Sequence, residues 1–283
     1  MRYNEITDID LIDEDWKKKA LGGLTAAGIA LGAGGIGSNI ASSMMSNPDS
    51  IERSYDDGGA ADLLNKIENG HYRAGKKANG THQNYPDELL GLQGDELKDA
   101  FVHKVVPLIK QCNDDIKRER NHIIKISLKD HKTDEDMNFI KSEMKTYKVD
   151  NIKDLIKAVD IIPVPMALAQ AGVESGWGTS RFAKEANALF GQKTVAKTNI
   201  KSQTDQYAVY DSFKESIASY MHNLNTHPAY EKFRDERYSM RRSGNGFNIK
   251  ELVNTLLHYS TRGKDYVHQV KQIMSDNGFD SLG

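Results

Sequence analysis

Cysteine is nearly absent from this chain. Cys112 is the only one in 283 residues, so no intramolecular disulfide framework and no cysteine-based zinc site is open to it. Net charge is nearly absent too: 38 Lys+Arg stand against 40 Asp+Glu, a formal charge of -2. No run of Lys or Arg reaches the density of a basic arm, which sets aside nucleic acid as a partner. Proline is scarce, with 6 residues, and aromatic residues make up 8%. What is present, 38% hydrophobic and 28% charged residues, is the composition of a folded chain with room for one substantial domain plus appendages.

The organisation changes three times along the chain. Residues 1–48 begin with an acidic lead that ends in Lys17, Lys18 and Lys19, and then run without charge to Asp49 through a Gly/Ala-rich stretch. That stretch is long enough to cross a bilayer but only weakly apolar, and Gly28 and Gly32 form a pair that lets helices approach closely in lipid. Three readings fit it: a packing segment, an export signal or releasable membrane anchor touching the membrane through residues 20–45, or a virion-associated segment. Residues 49–94 carry Asp56-Asp57-Gly58-Gly59, Asn69-Gly70 and Asn79-Gly80 and read as a linker. Residues 95–160 read as a helical lead-in. Leu97, Phe101, Val105, Leu108, Ile109, Cys112 and Ile116 recur at helical spacing, with a kink expected near Pro107. Thr133 and Asp136 have capping-box spacing for a second helix, and a third occupies 151–160.

From 161 to 283 the pattern is of helices joined by short turns, interrupted only by 192–210, which reads as a small β-hairpin lobe or an irregular loop. The most informative stretch is Pro163 to Gln192. Pro165 suits a helix start, Met166, Leu168, Ala169 and Val173 give a buried face, and Gly176 with Gly178 ends it. Glu174 therefore falls in the last turn of an apolar helix. There it meets the negative end of the helix dipole and has few waters to stabilise a charge, and both effects favour the protonated acid. An acid held protonated near neutral pH suits glycosidic cleavage, because the departing sugar oxygen must receive a proton. Trp177 beside it offers a flat face for a pyranose. A surface glutamate at a helix end fits the same residues equally well.

Several separated runs resemble the Bax-like glucosaminidases, relatives of the flagellar rod-cap peptidoglycan hydrolase in glycoside hydrolase family 73. They are Ala169-Gln170-Ala171 through Glu174-Ser175-Gly176-Trp177-Gly178, then Asn187-Ala188-Leu189-Phe190-Gly191-Gln192, Tyr210-Asp211-Ser212-Phe213, Tyr220 to Tyr230, and Tyr259-Ser260-Thr261 to Tyr266-Val267. The resemblance covers about residues 95 to 283. It implies a mainly α, lysozyme-like catalytic domain with a small β-lobe that cleaves the β-1,4 bond between N-acetylglucosamine and N-acetylmuramic acid, without a metal or cofactor. It gives Glu174 the general-acid role and gives Tyr259, in Tyr-Ser-Thr, the role of a tyrosine that lines the cleft and supports catalysis. One extra residue between Tyr259 and Tyr266 leaves that role open to either. Trp177, Phe190, Tyr266 and Asn225 become the expected substrate contacts, and peptidoglycan glycan strands the partner. The place of action implied is the cell envelope or periplasm after export, or a virion.

A second carboxylate is harder to find. In the expected β-lobe the only acid is Asp205, while Glu215 has capping-box spacing from Ser212 and Asp211 suits a turn. Asp205 is the candidate base, and the substrate's own 2-acetamido group is the alternative. His222 and His227 lie five apart, the wrong spacing for one helix face, and read as helix-end residues rather than metal ligands. Arg234, Arg237, Arg241 and Arg242, interleaved with acids, read as a solvated helix face. Two rival functions remain: a lytic transglycosylase, which also uses one helix-end Glu, and a wall-binding or virion module without activity.

Overall fold

The computed structural model describes residues 80–192, 208–244 and 246–282, all within the second of the chain's two units, Asn65–Gly283. Residues 1–48, and with them the membrane-contact expectation for 20–45, lie outside the described residues, as does most of the expected hairpin. No helix among the described residues is long and apolar enough to cross a membrane. The described fold is mainly α, with no sheet.

The helices are α1 (Gly94–Ser127), α2 (Asp134–Tyr147), α3 (Ile152–Ala158), α4 (Val164–Ser175), α5 (Arg181–Ala186), α6 (Phe213–Thr226), α7 (Glu231–Ser243), α8 (Ile249–Asn254) and α9 (Lys264–Asp276). Helix α1 runs on through Pro107 and buries Phe101, Val105, Ile109 and Cys112, a stripe repeating every three to four residues. Burial pushes the Cys112 thiol up to about 12, so this cysteine is core rather than chemistry. The expected capping box opens α2, with the Thr133 and Asp136 side chains each accepting from the other's backbone N–H.

Helix α4 is enclosed by α1, α9 and the C-terminal 3-10 turn Phe279–Leu282. Met166, Ala167, Leu168, Ala169, Gln170 and Ala171 are all fully buried, which explains why its sequence is almost without charge. Asn113 of α1 fixes the chain just ahead of it, donating to the Ile162 carbonyl at 2.8 Å and accepting from the Ile162 N–H at 3.0 Å. The expected lead-in is thus no appendage: Phe101, Val105 and Ile109 share one core with Met166, Ile217 and Val270.

Two expectations are corrected here. From residue 80 the chain is no linker. His82, Tyr85 and Leu89 are buried, the Tyr85 hydroxyl donates to the Gly178 carbonyl at 3.1 Å, and the His82 N–H donates to the Lys184 carbonyl at 2.7 Å. Gly, Asn and Asp dominate that stretch of sequence, and they conceal two large side chains that anchor it. The arginine cluster is a solvated face only in part, at the exposed Arg242. Arg237 is fully buried and Arg234 nearly so, and both are paid out to carbonyls. Arg237 donates to the carbonyls of Asp160, Ile161 and Ala158 at 2.9–3.0 Å, while Arg241 makes a two-pronged pair with the buried Asp160. Arg120 of α1 donates to Ile156 and Val159. Together they satisfy the orphan carbonyls at the end of α3.

Candidate active site

Glu174 is where the sequence places it, in the last turn of α4, and Gly176 caps that helix in the left-handed conformation (φ 56°). Four tyrosines from four elements of the chain lie close enough to feel its charge. Tyr220 comes from α6, Tyr230 from the 3-10 turn Pro228–Tyr230, Tyr259 from the end of the 3-10 turn Leu256–His258, and Tyr266 from α9. Tyr259 and Tyr266 stack face to face, with centroids 5.3 Å apart and planes 8° from parallel. Tyr259 also packs edge-on to Tyr220 and tilted against Tyr230, at 6.3 and 6.0 Å. Tyr220 stacks on Phe190 at 3.8 Å.

The choice left open between Tyr259 and Tyr266 is one of contact. Tyr266 is the tyrosine whose hydroxyl lies close enough to the Glu174 carboxyl to pull its pKa down, whereas the Tyr259 hydroxyl donates to the Phe190 carbonyl at 3.4 Å. The two act as a stack in which Tyr259 backs the ring that touches the acid. Behind Tyr266 lies Gln170, one helical turn before Glu174 on the same face of α4. Its Nε2 donates to the Tyr266 oxygen at 2.9 Å, and its Oε1 accepts from the Tyr220 hydroxyl at 2.6 Å.

Burial raises the pKa of Glu174 above the ordinary carboxylate range, against the smaller opposing pulls of the Tyr266 hydrogen bond and the Arg262 charge. Among the described residues no Arg or Lys forms an ion pair with it. Burial also raises Tyr220, Tyr230, Tyr259 and Tyr266, and the Glu174 charge pushes each the same way. All four hydroxyls are therefore neutral donors rather than anions. Gly191 completes the enclosure. Its φ of 61° favours glycine, and a Cβ built on it would lie in ordinary contact, 3.5 Å from Glu174 Oε2, which places this backbone beside the acid.

The other expected site residues fare differently. The half-buried Trp177 has its six-membered ring over Gly172 and its edges against Phe101 at 5.8 Å and Phe279 at 6.3 Å, so it packs the turn after α4. Phe190 is 3% exposed and stacked on Tyr220, so its ring is core and does not face a substrate. Asn225 is 1% exposed, with Nδ2 on the Asp160 carbonyl at 3.0 Å and Oδ1 accepting from Arg237 at 2.8 Å. It belongs to the clamp on α3, and burial keeps its amide out of reach of a sugar. Asp205 lies outside the described residues. The expected structural role of Glu215 is present: its N–H is capped by Ser212 and its carboxylate accepts from the Asp211 N–H at 2.8 Å. His227 accepts from the Ala229 N–H, and His222, which burial pushes down to about 4, packs on Tyr147. No metal-ligating cluster occurs among the described residues.

Comparison with known proteins bears on the reaction class. A family model described as glucosaminidase, mannosyl-glycoprotein endo-beta-N-acetylglucosaminidase, matches residues 149–279. Protein bax of Escherichia coli (strain K12) is 36% identical over 202 residues, covering 68% of this chain and 74% of that protein. The chain belongs to the Bax-like glucosaminidases. It is a glycoside hydrolase, of a family whose polymer is peptidoglycan. Among solved structures, a C-terminally truncated glycoside hydrolase domain of Salmonella typhimurium FlgJ is 19% identical, covering 41% of this chain and 83% of that one, with a TM-score of 0.30. The catalytic domain of the autolysin Auto from Listeria monocytogenes is 22% identical, covering 58% of this chain and 97% of that one, with a TM-score of 0.34. Two site features of this Bax-like chain escape a reading of its motifs residue by residue. Gln170 and Tyr220 lie 50 residues apart in sequence and meet only in the fold.

Proposed function

We propose that this Bax-like glucosaminidase cleaves the β-1,4 bond between N-acetylglucosamine and N-acetylmuramic acid in peptidoglycan, with Glu174 as the general acid. The observation that carries this reading is a carboxyl at the end of an apolar helix, raised by burial, with a neutral tyrosine hydroxyl beside it and no cation paired to it. As Glu174 passes its proton to the departing sugar oxygen, negative charge grows on the carboxylate. The Tyr266 hydroxyl beside it can donate to that charge as it grows, and such an interaction lowers the barrier more than it lowers the ground state. The Arg262 charge, which also pulls the Glu174 pKa down, acts in the same direction.

A second group must meet the anomeric carbon. No carboxylate among the described residues contributes to the electrostatics of Glu174. We assign this role to Asp205, with the substrate's 2-acetamido group as the other route. The anomeric configuration of the fresh product separates them. Inversion, with a large loss in Asp205→Asn, fits the assigned base, whereas retention with an active Asp205→Asn fits acetamido attack.

Analysis of digested sacculi by mass spectrometry tests the reaction itself. Reducing N-acetylglucosamine ends are expected, and Glu174→Gln is expected to lose at least about a hundredfold in rate. Anhydro-muramyl ends would reassign the enzyme as a lytic transglycosylase, and binding without any product would leave a wall-binding module. We place the action at the cell envelope.

A further inference from the structure

We infer that Gln170 is a positioning residue that aims the single hydroxyl proton of Tyr266 at the Glu174 carboxyl; the inference rests on Glu174 being the general acid. A tyrosine hydroxyl has one proton to donate, and an amide has a donor end and an acceptor end that cannot exchange without turning over. Tyr220 gives its proton to Gln170 Oε1 at 2.6 Å. That fixes Nε2 on the other side, where it donates to the Tyr266 oxygen at 2.9 Å. Tyr266 is then an acceptor toward Gln170, which leaves its own proton for its other polar neighbour, Glu174, whose pKa its hydroxyl pulls down. With the amide reversed, the Tyr266 proton would go to Oε1 and Glu174 would lose its donor.

The surroundings hold the amide in place. Gln170 and Tyr220 are fully buried and Tyr266 is 1% exposed, so water is not there to replace a lost bond. Tyr220 is held against Phe190 by stacking, and Tyr266 against Tyr259. Donors arranged in series also polarise one another: an N–H given to the Tyr266 oxygen makes its O–H a stronger donor. The chain Tyr220 to Gln170 to Tyr266 to Glu174 therefore has one direction, and it ends on the acid.

A purely structural glutamine would affect stability and rate without changing the acidity of Glu174. The test is the pH dependence of kcat/KM on a soluble peptidoglycan fragment, with Tm and circular dichroism measured in parallel. Gln170→Met keeps the side-chain length and removes both hydrogen bonds. It is expected to move the alkaline limb upward by roughly half a pH unit, because the ionised acid loses part of its donor. In a Tyr266→Phe background, where that donor is already gone, the same substitution is expected to add no shift. Should Gln170→Met not fold, Tyr220→Phe removes only the hydroxyl that locks the amide, and a smaller upward shift is expected. A rate loss with an unmoved limb, or a shift of equal size without the Tyr266 hydroxyl, overturns the inference. Glu174→Gln run alongside separates the two claims: an active Glu174→Gln removes the general acid and this inference with it. An inactive Glu174→Gln with an unmoved limb in Gln170→Met and Tyr220→Phe removes only the role of Gln170.

Discussion

Glu174 differs from the charged side chains of this protein's surface in what its neighbours offer it. Asp160 is buried more completely, yet the guanidiniums of Arg120, Arg237 and Arg241 outweigh the upward push of burial and hold its pKa below the ordinary range. Glu174 has tyrosines where Asp160 has arginines, so burial wins and its pKa rises. The sign of the pH dependence follows. Activity needs the protonated acid, so it is expected below the folded-state pKa of Glu174 and is lost as pH rises through it, above the value of about 4.3 for a free glutamate. The same shift acts on stability. A group whose folded pKa is raised contributes below its unfolded pKa and loses that contribution as pH rises through the folded one. At neutral pH the buried charge is a cost, so Glu174→Gln is expected to melt at or above the wild-type temperature while losing activity, with the gain vanishing near pH 4. A Tm clearly below wild type at neutral pH would mean that the carboxylate is held by a favourable partner after all.

At the scale of the element, α4 combines two tasks that make different demands. Its inner face must pack tightly enough to exclude water, and its last turn must leave the acid accessible. Gly172 reconciles them by letting the Trp177 ring close over the helix two residues before Glu174. A Cβ there would lie 3.2–3.3 Å from three ring atoms of Trp177, which is itself wedged between Phe101 and Phe279. Alanine improves helix propensity by about 1 kcal/mol, whereas overpacking costs about 1–3 kcal/mol. Because two of the ring's edges are held by Phe101 and Phe279, Gly172→Ala is expected to destabilise by about 1 kcal/mol in urea titration and to slow catalysis by displacing the turn that follows Glu174. A variant more stable than wild type would show that Trp177 can move away. This element was legible in the sequence from its start at Pro165 to its glycine stop, because proline, glycine and an unbroken apolar run are local signals. The partners of Trp177 were not, since an aromatic beside a catalytic acid suits sugar stacking and core packing alike until Phe101 and Phe279 are located. Phe190 and Asn225 were misplaced for the same reason: membership of a motif marks a residue as fixed by the fold without saying which way it faces.

At the scale of the molecule, the family match begins at residue 149, yet the core does not. Phe101, Val105 and Ile109 of α1 are fully buried against α4 and α6, Asn113 pins the entry to α4, and Arg120 satisfies carbonyls at the end of α3. Composition could mark 95–160 as helical, but only contacts across the chain show that it is half of one core. The short anchor from His82 to Leu89 was hidden by its turn-forming neighbours. Burial of a large apolar side chain is worth about 1.5–3 kcal/mol, so losing the α1 stripe removes as much stability as a domain of this size commonly has in total. A fragment spanning 149–283 is therefore expected to be insoluble or unfolded by circular dichroism and inactive on sacculi, while 80–283 is expected to fold and cleave. Comparing 80–283 with the full chain then isolates the contribution of the N-terminal region. If residues 20–45 deliver the enzyme to the membrane, the full chain will partition with membranes and the shorter one will not, at equal activity on isolated sacculi. Equal partitioning would leave delivery to some other part of the chain, and a folded, active 149–283 would show that the lead-in only decorates a core able to stand without it.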